Sequence, residues 1–268
     1  MRLGVMVRNM GSASTPAIIA ECGRYAEQAG MSDVWVCDHI AIPREESEGS
    51  GGRYLDPLAT LAFLAGVTTR VGLGVTVLIV PYRPALPTAK WVASVQELSN
   101  NRLQLGVGVG WMEAEFRALG VERKRRGAIT DETLAFLDDC FAHDEVSLNG
   151  QKFLFNPRPA KPPVLIGGAG DHCLERVVRF GDGWMPMQSD PDKLQAPILA
   201  LQGKMAAAGK SPPSVVPLGG LPIDDPQAAR DRLEKLAAIG VTGFIHAGRY
   251  TTSDEFKVVV DQLSKVQS

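Results

Sequence analysis

The chain has 268 residues, 45% of them hydrophobic and 22% charged, an ordinary globular composition that suits one large barrel or two small domains. Lysine and arginine number 28 against 30 aspartates and glutamates, and the resulting net charge of −2 offers no field for gripping nucleic acid or an anionic membrane. No apolar stretch reaches bilayer-spanning length, so neither nucleic acid nor membrane is expected as a partner.

The first predicted element is a strand over Leu3–Val7; its apolar run is too short for a signal peptide, and Arg8 and Asn9 interrupt it. A helix opens at Ser14-Thr15-Pro16, where a capping residue precedes proline, and stops at Gly30. Strand Val34–Cys37 is followed by a helix from about Asp56-Pro57 to Val67, and strand Val71–Val77 by a helix from about Pro84 to Leu98. Strand Leu103–Val109 leads through Trp111–Leu119 into a helix from about Thr130 to Ala142. The irregular segment Val146–Pro163 reads as an excursion with hairpin character rather than a linker. Four further strand–helix pairs follow: Val164–Ile166 with Cys173–Phe180, Trp184–Met185 with Pro191–Ala208, Val215–Leu218 with Pro226–Ile239, and Gly243–His246 with Ser253–Val266. Eight units predict an α/β chain forming a single (β/α)8 TIM-barrel domain over residues 1–268. The rival, an open doubly wound sheet, lacks its dinucleotide fingerprint after the first strand. The four cysteines (Cys22, Cys37, Cys140 and Cys173) show no C-x-x-C pair and no metal-ligand spacing. They read as small buried hydrophobes in a reducing compartment, and the expected location is cytoplasmic.

In a barrel the chemistry sits at the carboxyl ends of the strands. The second strand ends in Asp38-His39: the histidine suits proton transfer, and the carboxylate suits fixing its tautomer or meeting a polar ligand edge. The polar, glycine-rich loop Arg44–Arg53 reads as a mobile lid or as plain surface. Glycines alternating through Gly106, Gly108 and Gly110 before Trp111 leave room for a flat ring or for a close helix. The turn Gly167-Gly168-Ala169-Gly170, just before a helix, serves equally as a phosphate site or as a tight βα turn. Met6, Leu78, Ile79 and Trp111 suggest a partly hydrophobic pocket, and Tyr82, Arg83, Arg249 and Tyr250 are candidates for a polar substrate group.

Several segments in order resemble the luciferase-like monooxygenases and coenzyme F420-dependent oxidoreductases, in particular short F420-dependent members. They are Val34–His39, Tyr54–Leu58, Thr69–Gly74, Asn101–Trp111, Pro163–Gly168 and Gly181–Trp184. The resemblance implies His39 as the catalytic group by a tricyclic ring, with Asp38 beside it. It implies a non-proline cis peptide joining Thr76 and Val77 behind that ring, and cofactor phosphate at Gly167, Gly168, Ala169 and Gly170. Gly108, Gly110 and Trp111 complete the expected cofactor site. Some F420-dependent members carry a glutamate where Trp111 stands, so no role passes to that position, and Glu113 and Glu115 just beyond receive none.

The expected activity is hydride transfer between coenzyme F420 and a small organic substrate, with His39 moving the proton. The alternatives are an FMN-dependent monooxygenase using oxygen and a non-catalytic flavin-binding barrel. The Gly106–Trp111 and Gly167–Trp184 segments favour F420, while the basic run Arg123-Lys124-Arg125-Arg126 fits the cofactor's anionic tail or a solvated helix start. By resemblance the chain is also expected to form a homodimer, with a separate reductase recharging its cofactor.

Overall fold

A computed structural model describes residues 1–47 and 49–267; Glu48, within the expected lid, lies outside the described residues. In chain order the elements are β1 (Arg2–Met6), α1 (Pro16–Gln28), β2 (Asp33–Val36), α2 (Pro57–Val67), β3 (Gly72–Ile79) and α3 (Ala85–Leu98). Next come β4 (Leu103–Gly108), α4 (Glu113–Leu119), α5 (Arg126–Ala142), β5 (Glu145–Leu148) and β6 (Gln151–Leu154). The chain continues with β7 (Val164–Gly167), α6 (Asp171–Phe180), β8 (Gly183–Met185) and α7 (Pro191–Ala207). It finishes with β9 (Ser214–Val215), β10 (Leu218–Gly219), α8 (Pro226–Ala238), β11 (Gly243–His246) and α9 (Ser253–Gln267). No helix among the described residues is long and apolar enough to cross a membrane.

Nine strands form one parallel sheet in the order β10-β11-β1-β2-β3-β4-β7-β8-β9. Its two ends, β9 and β10, are successive in the chain and separated only by Val216-Pro217. The Val216 N–H donates to the Trp184 carbonyl at 2.9 Å, and Ile245 N–H donates to the Pro217 carbonyl at 3.0 Å. Residues 214–219 are therefore one barrel strand, broken where proline has no N–H to give, and the ring comes full circle. The expected (β/α)8 architecture is present. The excursion is an antiparallel hairpin, β5 with β6, turning through Asn149 and Gly150 with φ of 51° and 78°. Two helices start earlier than the apolar period indicated, α5 at Arg126 and α6 at Asp171, because their first turns are polar.

Period-two alternation separates two cores. One lies between the sheet and the helices and includes Val34, Val36, Leu73, Val75, Leu103 and Leu105. The other fills the barrel itself with Trp35, Leu165, Met185, Val216 and Ile245. Trp35 takes so much of that interior that its neighbours are glycine: a Cβ on Gly74 would lie 2.1 Å from Trp35 Cε3, and one on Gly4 2.5 Å from Trp35 Nε1. The barrel floor is polar, where Arg2 and Gln104 both donate to the buried Asp33 carboxylate.

On the amino-terminal side of the barrel, the Glu27 carboxylate at the end of α1 accepts the N–H groups of Thr69, Arg70 and Val71 at 2.8, 2.5 and 3.0 Å. Burial pushes this carboxyl up, but the three N–H groups outweigh burial and draw it down to about 2. The folded value lies below the unfolded one, so this stability is complete above about pH 4.5 and vanishes as pH falls through about 2. Glu27→Gln is expected to cost about 1–2 kcal/mol at pH 7. The gap to the parent should close progressively below pH 4.5 in denaturant titrations, and a gap independent of pH would contradict the assignment.

Candidate active site

His39 shares its parity with Trp35, on the lumen side of β2, whereas Asp38 shares that of Val34 and Val36, on the helix side. This one-residue offset separates the two neighbours. The strand end is latched by Asn9, fully buried after β1. Its amide donates to the Cys37 and Leu55 carbonyls at 2.7 and 2.8 Å and accepts the Cys37 N–H at 3.1 Å.

The His39 imidazole places Nδ1 2.9 Å from Oε2 of Glu115, the group that sequence reading left without a role. Glu115 is fully buried on the short helix α4. Oε1 accepts the N–H groups of Ile40 and Ala41 at 2.6 and 2.9 Å, while Tyr82 donates its hydroxyl to Oε2 at 2.8 Å. Burial alone would push the Glu115 carboxyl up. The N–H groups of Ala41 and Ile40, then Tyr82 and His39, outweigh it and hold the carboxyl below its ordinary value. His39 Nε2 has no hydrogen-bond partner among the described residues, and the side chain keeps 19% exposure. Tyr54 and Trp111 meet the imidazole edge-on, with centroids at 5.1 and 6.4 Å. Trp111 is 60% exposed at the mouth.

Asp38 does not hold His39 or face a ligand, which corrects the expectation from its sequence position. Its buried carboxylate accepts Arg83 in a fork at 2.6 and 2.9 Å and the Ile79 N–H at 2.9 Å. Arg83 reaches on to Asp56, the N-cap of α2, at 2.8 Å. Burial works against this guanidinium, but its two carboxylate partners outweigh burial and keep it charged. Other expectations for a substrate pocket also change. Leu78 and Ile79 are core, Tyr82 and Arg83 are occupied as described, and the Tyr250 hydroxyl accepts the Arg8 N–H at 2.6 Å. Arg249 remains exposed. The described end of the expected lid is docked: Arg53 donates to Ser14 Oγ at 2.8 Å, and the Gly11 N–H donates to the Arg53 carbonyl at 3.0 Å.

The Thr76-Val77 peptide is cis, and the β3–β4 register shifts between Val75 and Leu78. The bulge turns Val77 toward Gly108 and Gly167, where added Cβ atoms would lie 2.4 and 2.6 Å from its methyl groups. These two glycines thus make room first for Val77. Thr76 Oγ1 is buried without a hydrogen-bond partner among the described residues. Gly110, with φ of 74°, packs against Ile79 and Phe116, so its glycine serves α4 as well as the mouth.

The turn after β7 has Gly168 and Gly170 at φ of 123° and 81°, and Trp184 Nε1 donates to the Gly168 carbonyl at 2.8 Å. The N–H groups of Ala169, Gly170, Asp171 and His172 have no acceptor among the described residues. Beside them a recess of about 390 Å³ is lined by Val109, Lys124, Arg126, His172, Arg176 and Arg179, with Asp131 and Glu175 as the opposing charges. Arg176 and Arg179 are paired to Asp131 at 2.6 and 2.8 Å, whereas Lys124 forms no ion pair with a described residue. The basic run therefore divides: Lys124 and Arg126 face the recess, Arg123 pairs with Glu113 at 3.4 Å, and Arg125 with Glu132 at 3.3 Å.

Replacing Arg83 with leucine would leave the Asp38 charge buried and unmatched. A loss of about 3–5 kcal/mol is expected by denaturant titration. A variant as stable as the parent would show that this pair does not hold the two strand ends together.

Comparison with known proteins follows the same lines. A family model described as luciferase-like monooxygenase matches residues 1–261. An uncharacterized protein of Mycobacterium tuberculosis is 29% identical over 285 residues, covering 98% of each chain. The F420-dependent hydroxymycolic acid dehydrogenase of the same organism is 29% identical over 219 residues, 76% of this chain and 59% of that one. In three dimensions a monooxygenase from Streptomyces bottropensis superposes with a TM-score of 0.83 at 18% identity, over 99% of this chain and 98% of that one. The match runs through every barrel unit, and the chain belongs to the luciferase-like monooxygenase family of oxidoreductases.

Proposed function

We propose that the protein transfers a hydride between coenzyme F420 and a small organic substrate, with His39 moving the accompanying proton. The observation that carries the choice of F420 is the basic recess beside the Gly167–Gly170 turn. A flavin phosphate is a single anionic group, and the free N–H groups at the start of α6 match one such group. Lys124 and Arg126 continue a cationic surface beyond the turn, which suits a cofactor with a further anionic tail. Asp171 and Glu175 oppose this field in part. The buried, unpartnered Thr76 hydroxyl marks a second polar atom fit to meet a bound group.

When bound, F420 would supply a two-electron carrier that passes hydride and reacts little with oxygen. The chain's own residues supply the rest. Val77 and the edges of Trp111 and Tyr54 would bound the ring and limit water, and the Ala169–His172 N–H groups would hold phosphate. His39, open at Nε2, would give the proton to a carbonyl oxygen as hydride arrives, or take it from an alcohol in reverse. The family's monooxygenases favour a second reading, reduced FMN with oxygen in the same pocket, for which the tail-binding recess would be idle.

Fluorescence titration with F420, with its deazaflavin riboside lacking phosphate and tail, and with FMN separates the readings. F420 should bind tightest, and the double variant Lys124→Glu, Arg126→Glu should weaken it by about tenfold or more at low salt, the effect fading as salt rises. Tighter binding of FMN than of F420 would sink the F420 reading. His39→Ala should cut turnover by about 10²-fold or more with little change in cofactor affinity. Unchanged turnover would remove His39 from the chemistry.

A further inference from the structure

We infer that Glu115 is the positioning residue of the site. Through Oε2 it fixes His39 as the tautomer protonated at Nδ1, and through Oε1 it pins the loop that begins at Ile40. The reaction half of this inference rests on the proton role proposed for His39; the tautomer half stands on geometry alone.

Glu115 has four hydrogen-bond partners, of which the two backbone N–H groups can only donate and the Tyr82 hydroxyl donates to the carboxylate. The Ile40 and Ala41 N–H groups are fixed in the backbone, and Tyr82, within reach of the same carboxylate, turns its hydroxyl toward Oε2. No lysine or arginine pairs with this carboxylate among the described residues. With all four acceptor directions committed, the carboxylate has no free lone pair for shuttling a proton, and its effect is exerted through His39. An acceptor-only oxygen 2.9 Å from Nδ1 requires the N–H there, which leaves the Nε2 lone pair to the open mouth. Tyr82 in turn is wedged edge-on against Phe116, the next residue of α4, with centroids at 5.1 Å. The helix that carries Glu115 thus also holds the group that orients its carboxylate.

Glu115→Gln tests this sharply because the amide cannot satisfy the same set. Its oxygen must face the immovable Ile40 and Ala41 N–H groups, so its NH2 faces His39 Nδ1, which must then accept. The imidazole proton is driven to Nε2, the reverse tautomer. The chain holds only four histidines, so ¹⁵N-histidine NMR of the protein without cofactor can follow His39, with His39→Asn identifying its signals. The expected result is a protonated, pyrrole-type Nδ1 in the parent and a protonated Nε2 in Glu115→Gln. Turnover should fall about 10²- to 10⁴-fold with cofactor affinity within about threefold, as a wrong tautomer does in other histidine-carboxylate systems. Tyr82→Phe keeps the carboxylate and should keep the parent tautomer with a smaller loss of turnover.

A parent protein protonated at Nε2, or a Glu115→Gln protein with parent-like turnover, overturns the inference. The parent spectrum decides the tautomer even if Glu115→Gln fails to fold. An inverted tautomer in a protein that ignores F420 would leave the positioning role standing and remove the cofactor reading instead.

Discussion

Taking a carboxylate out of water is tolerable only when donors replace the lost hydration, and the mouth of this barrel is built around doing so for Glu115. The requirement places a constraint on three separate stretches of chain. The loop after β2 must bring the Ile40 and Ala41 amides inward, the turn after β3 must deliver the Tyr82 hydroxyl, and β2 must end so that His39 meets the remaining oxygen. The imidazole is held because the carboxylate is satisfied, and the carboxylate is satisfied because the loops converge. Asp38, the residue before His39, solves the same problem with a guanidinium fork and one amide. One buried acid is thus directed at the lumen and the other at the helices. The first orders the His39 imidazole and the second ties β2, β3 and α2 together.

The same economy of space governs the interior. Trp35 and Val77 are the bulky residues at their levels of the barrel, and the glycines around them, Gly4 and Gly74 for one, Gly108 and Gly167 for the other, are what permits them. Glycine runs at strand ends therefore have two causes that sequence alone does not separate: clearance for a neighbour's side chain, and approach of a ligand. Gly108 and Gly167 belong to the first kind, while Gly168 and Gly170 answer to neither alone: their positive φ angles are what the turn itself demands, and amides without acceptors among the described residues lie beside them.

How much was legible follows from these distinctions. The eight strand–helix units could be read because apolar periodicity and capping residues such as Thr15, Asp56, Asp190 and Asp225 mark them independently. His39 was legible as a strand-end histidine. Asp38 was misread because adjacency in sequence suggested adjacency in space, when period-two alternation puts the pair on opposite faces. Glu115 was missed, although a signal existed: Met112, Glu115, Phe116 and Leu119 fall at the i, i+3, i+4, i+7 spacing of an inward helix face. A glutamate in that series is a buried charge seeking donors. Which donors it finds depends on Ile40, Ala41 and Tyr82, distant in sequence, and no local pattern announces them.

The closure of the ring has a temporal side. β1 is paired on one flank by β11, and the Arg8 amide just before the Asn9 latch is held by Tyr250, close to the end of the chain. As the polypeptide emerges from the ribosome, the first strand waits with one edge bare until residues 243–250 have been made. The strand that leads into the Asn9 latch is thus made early and flanked late, and its second edge is covered only once about 240 further residues have followed it.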